Sequence, residues 1–307
     1  MGQLFEALPA EVSVYEVGPR DGLQNEPAAV GTVHKLRLIE ALIGAGLERI
    51  EITSFVAPRW IPQLSDADEL SHMLRDRQGL RLSALCPNRR GLERAIAAGI
   101  GEVAVFISAS ETHNRRNVNK SIEDTLAVFA EFLPEALGAG LRVRGYVSTT
   151  WGCPYEGEVA PAAVRSLVGR LLELGCYEIS LGDTIGLGTP LQTKRILQHL
   201  FAEIPAERLA MHMHDTRGQA LANVLVGLEL GIRTFDAAIG GLGGCPYAPG
   251  ASGNLATEDL VYMLSNMGIE TGIDSEKLWE AGRLAGALVN RPLPGRVHRA
   301  GLRALET

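Results

Sequence analysis

Short runs of apolar, β-branched residues alternate along the chain with longer segments whose apolar positions recur at helical spacing. Strands covered on both faces appear as short continuous apolar runs, whereas surface helices repeat about every 3.6 residues. The alternation therefore predicts strand–helix units and a parallel sheet. The predicted strands are 12–17, 49–54, 81–87, 102–108, 142–148, 177–183, 209–215 and 234–240, and the helical patterns include 33–45, 121–137, 160–174, 217–230, 257–266 and 275–289.

The number and order of these units predict the fold class. About eight strand–helix units fit an α/β TIM (β/α)8 barrel. No linker or low-complexity tract breaks the series, so we expect residues 1–307 to form a single catalytic domain, with about 255–307 forming additional C-terminal helices. A hydrophobic content of 46% is enough to bury a large core.

Charge and composition limit the partners. A net charge of −7 argues against a general nucleic-acid binder, and no apolar stretch approaches a membrane span, so we expect neither partner. The N-terminus resembles neither a signal peptide nor a transit peptide, which predicts a cytoplasmic location. In a reducing compartment the scattered cysteines are expected to be free thiols, and they are Cys86, Cys153, Cys176 and Cys245.

Two histidines are the first candidates for chemistry. His212 and His214 occupy alternate positions of a predicted strand, so both side chains share one face. Paired imidazoles suit a divalent cation. The alternative is a pair of packed or hydrogen-bonded histidines.

A glycine-rich loop follows the last predicted strand. Residues 240–254 hold too many glycines and prolines to continue a helix or strand, and they include one cysteine, Cys245, and one asparagine, Asn254. Glycine hinges around a thiol suggest a lid that delivers Cys245, whereas a tight connection with an incidental cysteine is the alternative. Asn254 is either a turn or helix-cap residue or an oxygen ligand.

The barrel can be tested against this chemistry. Catalytic groups of such folds gather at the carboxyl ends of the strands and in the loops that follow them. Polar residues of this chain lie at those positions in five of the predicted units, and they are Arg20, Asp21, Glu51, Ser54, Asp183, His212, His214, Cys245 and Asn254. We therefore expect them to converge at one mouth.

Several longer motifs carry a family resemblance. They are Gly18-Pro19-Arg20-Asp21-Gly22-Leu23-Gln24-Asn25-Glu26, Ile50-Glu51-Ile52-Thr53-Ser54-Phe55-Val56, Arg144-Gly145-Tyr146-Val147-Ser148, Gly152-Cys153-Pro154-Tyr155-Glu156-Gly157, Tyr177-Glu178-Ile179-Ser180-Leu181-Gly182-Asp183-Thr184-Ile185-Gly186 and Gly241-Leu242-Gly243-Gly244-Cys245-Pro246-Tyr247. In this order they resemble the 3-hydroxy-3-methylglutaryl-CoA lyase family through almost the whole chain. Several matches in register are more specific than any single motif.

The resemblance implies an activity and a site. The family cleaves 3-hydroxy-3-methylglutaryl-CoA to acetyl-CoA and acetoacetate in leucine catabolism and ketone-body formation, uses a divalent cation, and suggests a homodimer. Its oxygen and imidazole ligands fit Mg²⁺ or Mn²⁺ and are also compatible with Zn²⁺. It implies the metal ligands Asp21, His212, His214 and Asn254, the catalytic residues Arg20, Glu51, Asp183, His212 and Cys245, and substrate contacts from Arg20, Gln24 and Ser54.

The implied reaction is a retro-aldol cleavage. Removing the proton of the tertiary hydroxyl breaks the neighbouring carbon–carbon bond and leaves an acetyl thioester enolate, whose oxygen Arg20 can meet. Cys245 is the favoured proton donor to that enolate. Glu51 and Asp183 are competing candidates, so which of the three residues acts as acid and which as base stays open at this point, and Glu51 is alternatively a support for the metal ligands.

Recognition of the acyl-CoA partner is harder to locate in the sequence. A polar, partly basic stretch after strand four either meets its phosphates or is a solvated loop, and it comprises His113, Asn114, Arg115, Arg116, Asn117, Asn119 and Lys120. Arg217 stands where the family suggests a tyrosine. The other hypotheses are a lyase for longer 3-hydroxy-3-alkylglutaryl analogues, a Claisen-condensing enzyme of the isopropylmalate synthase type, and a non-catalytic metal- or acyl-CoA-binding protein.

Overall fold

Eight parallel strands close into a barrel in sequence order, so each pairs with its neighbours along the chain and the first pairs with the last. The computed structural model describes residues 8–244 and 253–302. The predicted TIM barrel is confirmed. The strands are β1 Ser13–Glu16, β2 Arg49–Ser54, β3 Arg81–Leu85, β4 Glu102–Ser108, β5 Arg142–Ser148, β6 Glu178–Gly182, β7 Leu209–His212 and β8 Thr234–Ala237.

Helices follow the strands and cover the outside of the barrel. Local signals fix several of their starts: Ser121 and Thr189 each form a capping box with a residue three positions later. The helices are α1 Thr32–Gly44, α2 Ala67–Leu74, α3 Arg89–Ala97, α4 Glu111–Val118, α5 Ile122–Gly138, α6 Pro161–Glu173, α7 Pro190–Leu200, α8 Ala220–Glu229, α9 Thr257–Asn266, α10 Ser275–Val289 and α11 Arg296–Ala300.

Three predicted boundaries differ from the structure by three residues, all at the carboxyl end of the barrel. The predicted strand 209–215 ends at His212, and His214 lies beyond it in an isolated bridge to Asn254. The strand predicted to 240 ends at Ala237, before a 3₁₀ turn Ile239–Gly241. Helix α8 begins at Ala220 rather than 217. In each case the backbone leaves regular structure where polar side chains enter the mouth.

The interior of the barrel contains ion pairs as well as aliphatic side chains. Arg144 of β5 is fully buried and donates two hydrogen bonds to Asp236 of β8, at 2.7 and 3.1 Å. Its Nε donates to Glu178 of β6 at 2.7 Å, and Arg49 of β2 pairs with the same carboxylate oxygen at 2.8 Å. Charges on four strands therefore neutralise one another across the barrel.

The C-terminal helices attach to the segment that follows β8. In α9, Glu258 accepts a hydrogen bond from the backbone N–H of Gly240 at 2.7 Å. The Asp259 carboxylate accepts the first N–H groups of α11, from Arg296 at 3.0 Å and Val297 at 2.6 Å. These helices therefore hold the start of the glycine-rich loop from outside.

Cys86, Cys153 and Cys176 are buried free thiols, as predicted. Cys245 lies outside the described residues. Among the described residues, none of the helices combines the length and the apolar character that a bilayer crossing requires.

The interior ion network yields a stability prediction. Replacing Arg144 with Met should lower the free energy of unfolding by about 3–5 kcal/mol, because Asp236 and part of Glu178 would remain buried without their cation. Denaturant titration followed by circular dichroism measures the change. Arg165→Met is the matched control, since its partner Glu203 is mostly solvated. Equal midpoints for the two variants would contradict the importance of the network.

Candidate active site

A tight turn directly after β1 carries the first two site residues. Residues Gly18–Gly22 form one π-helical turn, in which the N–H groups of Asp21 and Gly22 both point to the carbonyl of Val17. A Cβ on Gly22 would approach the Cβ of Leu242 to 2.8 Å. The glycine therefore allows this turn to pack against the segment that follows β8.

Arg20 is fixed in this turn by two carboxylates. Its Nε donates to Oε2 of Glu51 at 2.5 Å, and its Nη1 donates to Oδ1 of Asp21 at 2.6 Å. Burial opposes the charge, but these carboxylates outweigh burial and raise the pKa of Arg20. The guanidinium lies 5.7 Å from the ring centre of Tyr146. Arg20 is thus a permanently charged, oriented donor at the mouth.

The two carboxylate oxygens of Asp21 face different partners. Oδ1 faces Arg20, and Oδ2 accepts a hydrogen bond from Nδ2 of Asn254 at 2.8 Å. Burial opposes ionisation, but the positive charge of Arg20 outweighs it and lowers the pKa of Asp21 to about 2. The residue is therefore an anion at neutral pH.

The two histidines meet at their Nε2 atoms, which lie 3.4 Å apart. Nε2 of His212 is also 3.9 Å from Oδ2 of Asp21. Burial and the neighbouring His212 lower the pKa of His214 to about 4, so its imidazole is neutral at pH 7. The unprotonated nitrogen of an imidazole beside a carboxylate is a suitable donor for a cation.

Asp236 orients His212 from behind. Its Oδ2 lies 3.2 Å from Nδ1 of His212, and Arg144 holds both of its oxygens. Burial opposes its charge, but Arg144 lowers the pKa of Asp236 well below the usual range. A proton on Nδ1 donated to this carboxylate leaves the Nε2 lone pair directed toward Asp21 and His214.

The residues present fit a divalent cation. Asp21, His212 and His214 each offer a ligand atom, and these atoms all lie within 4.8 Å of one another. Oδ1 of Asn254 is buried and accepts no hydrogen bond from the described residues, so one more oxygen donor remains available there. Two nitrogens and two oxygens are a plausible ligand set for Mg²⁺, Mn²⁺ or Zn²⁺.

Asp183 lies beside this cluster at the end of β6. Its backbone N–H donates to the carbonyl of His212 at 2.9 Å, and its side-chain oxygens accept the N–H groups of Leu187 and Gly188 at 2.9 and 2.8 Å. Burial raises the pKa of Asp183 to about 6 despite these hydrogen bonds. The carboxylate is fixed by its own loop rather than by another side chain.

Among the described residues, Ser54 and Gln24 form no hydrogen bond or ion pair with the cation donors. Ser54 is buried, and its hydroxyl bonds to the backbone, at 3.4 Å to the carbonyl of Leu85 and 3.3 Å to the N–H of Val56. Gln24 lines a cavity beside the turn that bears Arg20. Their contact with substrate stays a prediction, as does the role of Cys245, which lies outside the described residues.

The polar stretch after β4 is mostly helix α4 rather than a loop. Asn114 is buried and bonds to the N–H of Ser108, the carbonyl of Lys120 and the hydroxyl of Thr125 at 2.8–3.1 Å. Arg115 pairs with Glu111 on the same helix at 2.7 Å. These two residues thus serve the protein's own structure.

Arg217 is engaged by the neighbouring loop. Its Nη1 donates to the carbonyls of Ile185 and Gly186 at 2.8 and 3.1 Å. The loops after β6 and β7 are thereby joined, which steadies the loop that carries Asp183.

Sequence reasoning missed Asp236, Arg144 and Tyr146. Each lies within a strand of the barrel. Arg144 and Asp236 pair with each other inside it, and the ring of Tyr146 lies near the guanidinium groups of Arg20 and Arg144. That placement was the available signal, and two of the three lie within the motif 144–148 that had been noted only as a resemblance.

Comparison with known proteins identifies the family of this chain. The model of the HMGL-like family matches residues 11–285. A mouse protein named "Hydroxymethylglutaryl-CoA lyase, mitochondrial" is 51% identical over 95% of this chain and 90% of its own length. The mouse "3-hydroxy-3-methylglutaryl-CoA lyase, cytoplasmic" is 50% identical over 97% and 87% of the two chains.

A solved structure has the same fold. An Acinetobacter baumannii HMG-CoA lyase in complex with coenzyme A and 3-methylmalate superposes with a TM-score of 0.92 at 42% identity, covering 100% of this chain and 99% of that one. The barrel, the polar cluster at its mouth and the match over 275 consecutive positions, 11 to 285, agree with one another. The chain belongs to the HMGL-like family.

Proposed function

We propose that this chain is a divalent-cation-dependent carbon–carbon lyase that cleaves 3-hydroxy-3-methylglutaryl-CoA to acetyl-CoA and acetoacetate. The observation that carries the proposal is the convergence of a charged arginine, Arg20, with the cation donors Asp21, His212 and His214 at one barrel mouth. The relatives at 50–51% identity bear the name of this activity. The relative solved with coenzyme A and 3-methylmalate supports an acyl-CoA substrate.

The cation site fits the first requirement of this reaction, which is to polarise the oxygens of the substrate. A divalent cation held by Asp21, His212, His214 and Asn254 would supply Lewis acidity toward the oxygens of the substrate when bound. The chain itself keeps the donors ready: Asp21 stays ionised beside Arg20, and His214 stays neutral at pH 7. We propose Mg²⁺ or Mn²⁺ because half of the donors are oxygens.

Arg20 can stabilise the negative charge that develops on the substrate. When the bond between C2 and C3 of the substrate breaks, its electrons become an enolate of the acetyl thioester, and the charge grows on the thioester oxygen. The guanidinium is held before reaction by Glu51 and Asp21, so little reorganisation is required to meet that oxygen. We assign Glu51 to holding Arg20, since one of its oxygens already lies 2.5 Å from Nε.

Two proton transfers complete the balance. We assign the first to Asp183, which accepts the C3 hydroxyl proton as C3 becomes the ketone of acetoacetate. Within residues 8–244 and 253–302, the side-chain oxygens of Asp183 accept hydrogen bonds only from backbone N–H groups. The second returns a proton to C2 of the enolate, and we assign it to the thiol of Cys245. Exchange with solvent then restores both groups.

We also propose a homodimer and a cytoplasmic location. A relative at 50% identity carries a cytoplasmic name and another at 51% a mitochondrial one. Light scattering of the metal-loaded protein tests the dimer, and fractionation of source cells tests the location.

The decisive experiment adds 3-hydroxy-3-methylglutaryl-CoA to metal-stripped protein, with and without Mn²⁺, and follows both products by mass spectrometry. We expect both products only with the cation. His214→Ala should weaken Mn²⁺ binding more than about 100-fold in a calorimetric titration, because it removes a ligand outright and even outer groups cost 10–100-fold. His34→Ala, at an exposed position of α1, is the matched control.

Two results would contradict this proposal. One is the absence of both products while the wild-type protein demonstrably holds Mn²⁺. The other is a Mn²⁺ affinity of His214→Ala equal to that of His34→Ala, which would remove His214 from the ligand set.

Replacing Arg20 tests the enolate assignment. Arg20→Met should lower kcat by roughly 10²–10³-fold with little change in KM, because the interaction forms mainly in the transition state. Steady-state kinetics of wild type, Arg20→Met and Arg20→Lys measure the split. A large rise in KM at unchanged kcat would instead assign Arg20 to ground-state binding.

The two proton assignments can be separated in heavy water. Enzyme with acetyl-CoA alone should exchange the methyl protons of the acetyl group for deuterium, which needs the group at C2 but not the group at the C3 hydroxyl. Cys245→Ala should slow this exchange by roughly 10²–10⁴-fold, and Asp183→Asn should cleave substrate poorly yet retain exchange. Loss of exchange in Asp183→Asn alone would reverse the assignments.

A further inference from the structure

A chain of buried polar groups connects the outer helices α7 and α8 to the carboxylate of Asp183. Thr193 of α7 and Asn223 of α8 are fully buried, and Trp151, in the segment after β5, is 3% exposed. A polar group is costly to bury unless a partner satisfies it. The partners of these three residues lead to the loop that holds Asp183.

The hydrogen bonds of this buried polar chain all run in one direction. Nε1 of Trp151 donates to Oγ1 of Thr193 at 2.9 Å. That hydroxyl donates to Oδ1 of Asn223, also at 2.9 Å. Nδ2 of Asn223 then donates to the carbonyl of Gly188 at 2.7 Å. The N–H of Gly188 donates in turn to Oδ2 of Asp183 at 2.8 Å.

The indole at the start determines the orientation of the later groups. An indole N–H can only donate, so the hydroxyl of Thr193 accepts it and donates its own hydrogen to Asn223. The atom of Asn223 that accepts this hydrogen must be the amide oxygen, and the amide nitrogen therefore faces the carbonyl of Gly188. Both ends of the Asn223 amide are thus engaged in a single consistent arrangement.

Gly188 connects this buried polar chain to the carboxylate. Its carbonyl is held by Asn223, while its N–H and that of Leu187 hold the two oxygens of Asp183. A Cβ on Gly188 would lie 2.9 Å from Oδ2 of Asp183 and 2.9 Å from Cδ1 of Trp151, so the backbone is enclosed from two sides. A displacement of the carbonyl is therefore passed to the carboxylate across one residue.

We propose that Asn223 is a positioning residue for the cleavage reaction: through Gly188 it sets the place from which Asp183 meets the C3 hydroxyl of the substrate. The inference rests on the proposed function and adds the outer helices α7 and α8 to the parts of the fold that serve it. A base must lie within hydrogen-bond reach of its proton, and a misplacement of about 1 Å can cost roughly 100-fold in rate. Thr193 and Trp151 contribute by fixing the orientation of the Asn223 amide.

Replacing Asn223 with Ala tests this role in steady-state kinetics. We expect kcat for 3-hydroxy-3-methylglutaryl-CoA to fall roughly 10- to 100-fold with little change in KM, because the carboxylate is misplaced while the substrate is still bound. The exchange of acetyl-CoA methyl protons in heavy water should continue at the wild-type rate, since it does not need the group at the C3 hydroxyl. Equal losses of cleavage and exchange would show a general disruption of the mouth and overturn the inference.

A double-mutant cycle shows whether Asn223 acts through Asp183. In the Asp183→Asn background, Asn223→Ala should lower kcat much less than it does in the wild type, because the carboxylate that it positions has already been removed. The same fold-change in both backgrounds would mean that the two residues act independently. That result would overturn the inference.

Thr193 provides a second variant with a matched control. Thr193→Val removes the hydroxyl at nearly constant volume and should lower kcat, whereas Thr193→Ser keeps the hydroxyl and should recover most of the loss. Thr125→Val is the control, because Thr125 of α5 is also buried and its hydroxyl also has two partners, the carbonyl of Ser121 and the amide of Asn114. Equal kcat values for Thr193→Val and Thr125→Val would contradict a role of the buried polar chain.

Hydrogen exchange separates this inference from the proposed function, because it needs no substrate. In the metal-loaded protein, Asn223→Ala should speed the exchange of the N–H groups of Leu187 and Gly188 roughly 5- to 150-fold, since the carbonyl of Gly188 loses its buried partner. If the wild type cleaves no substrate, the proposed function fails, and this exchange still decides whether Asn223 holds the loop of Asp183. Unchanged exchange of both N–H groups would overturn the positioning role even in an active enzyme.

Discussion

The carboxylate of Asp21 is the contact on which the arrangement of the mouth depends. One oxygen faces Arg20 of its own turn, and the other accepts from Asn254, more than 230 positions later in the chain. The first and last parts of the barrel therefore meet at one ionised group. Because the positive charge of Arg20 outweighs burial and lowers the pKa of Asp21 to about 2, this carboxylate is ionised at neutral pH.

A second buried anion, Asp236, fixes the geometry of the site from inside the barrel. Asp236 joins Arg144 to His212, so the direction of one imidazole is set by a charge pair between strands rather than by a loop. Buried ion pairs contribute little net stability compared with apolar packing, but they do fix geometry when every hydrogen-bonding atom is engaged. We infer that the polar interior is retained because it orients the site.

The strand–helix alternation was enough to predict the barrel and the convergence of residues distant in sequence. Parallel strands in order leave little choice of topology, so Arg20, Asp21, His212 and His214 had to share a mouth. Boundaries were less predictable, since β7 ends at His212 where the segment 213–215 turns to meet residues 253–255. That pairing joins segments separated by about forty positions, which no local pattern records.

Side-chain partners were also beyond the sequence. No local pattern shows that Asp236 faces His212, because that contact depends on β7 and β8 lying side by side. Nor does it show that Asn114 bonds to Ser108 and Thr125, because those contacts depend on how α4 packs against β4 and α5. The exposure of Trp60 could not be predicted either. An aromatic side chain in a loop is expected to pack against its neighbours, but the indole of Trp60 is 72% exposed although Gln63 of the same loop bonds to the carbonyl of Ala28.

The ends of the glycine-rich segment are held close to the cation donors. A Cβ on Gly243 would come within 2.6 Å of Nδ2 of Asn254, and the N–H of Asp215 donates to the carbonyl of Gly253 at 3.0 Å. Glycine is therefore required at 243 by a close approach to a proposed ligand residue. The described backbone on either side of residues 245–252 thus lies against Asn254 and against Asp215, the residue that follows His214. The glycines therefore allow the described ends of this segment to pack tightly around Asn254.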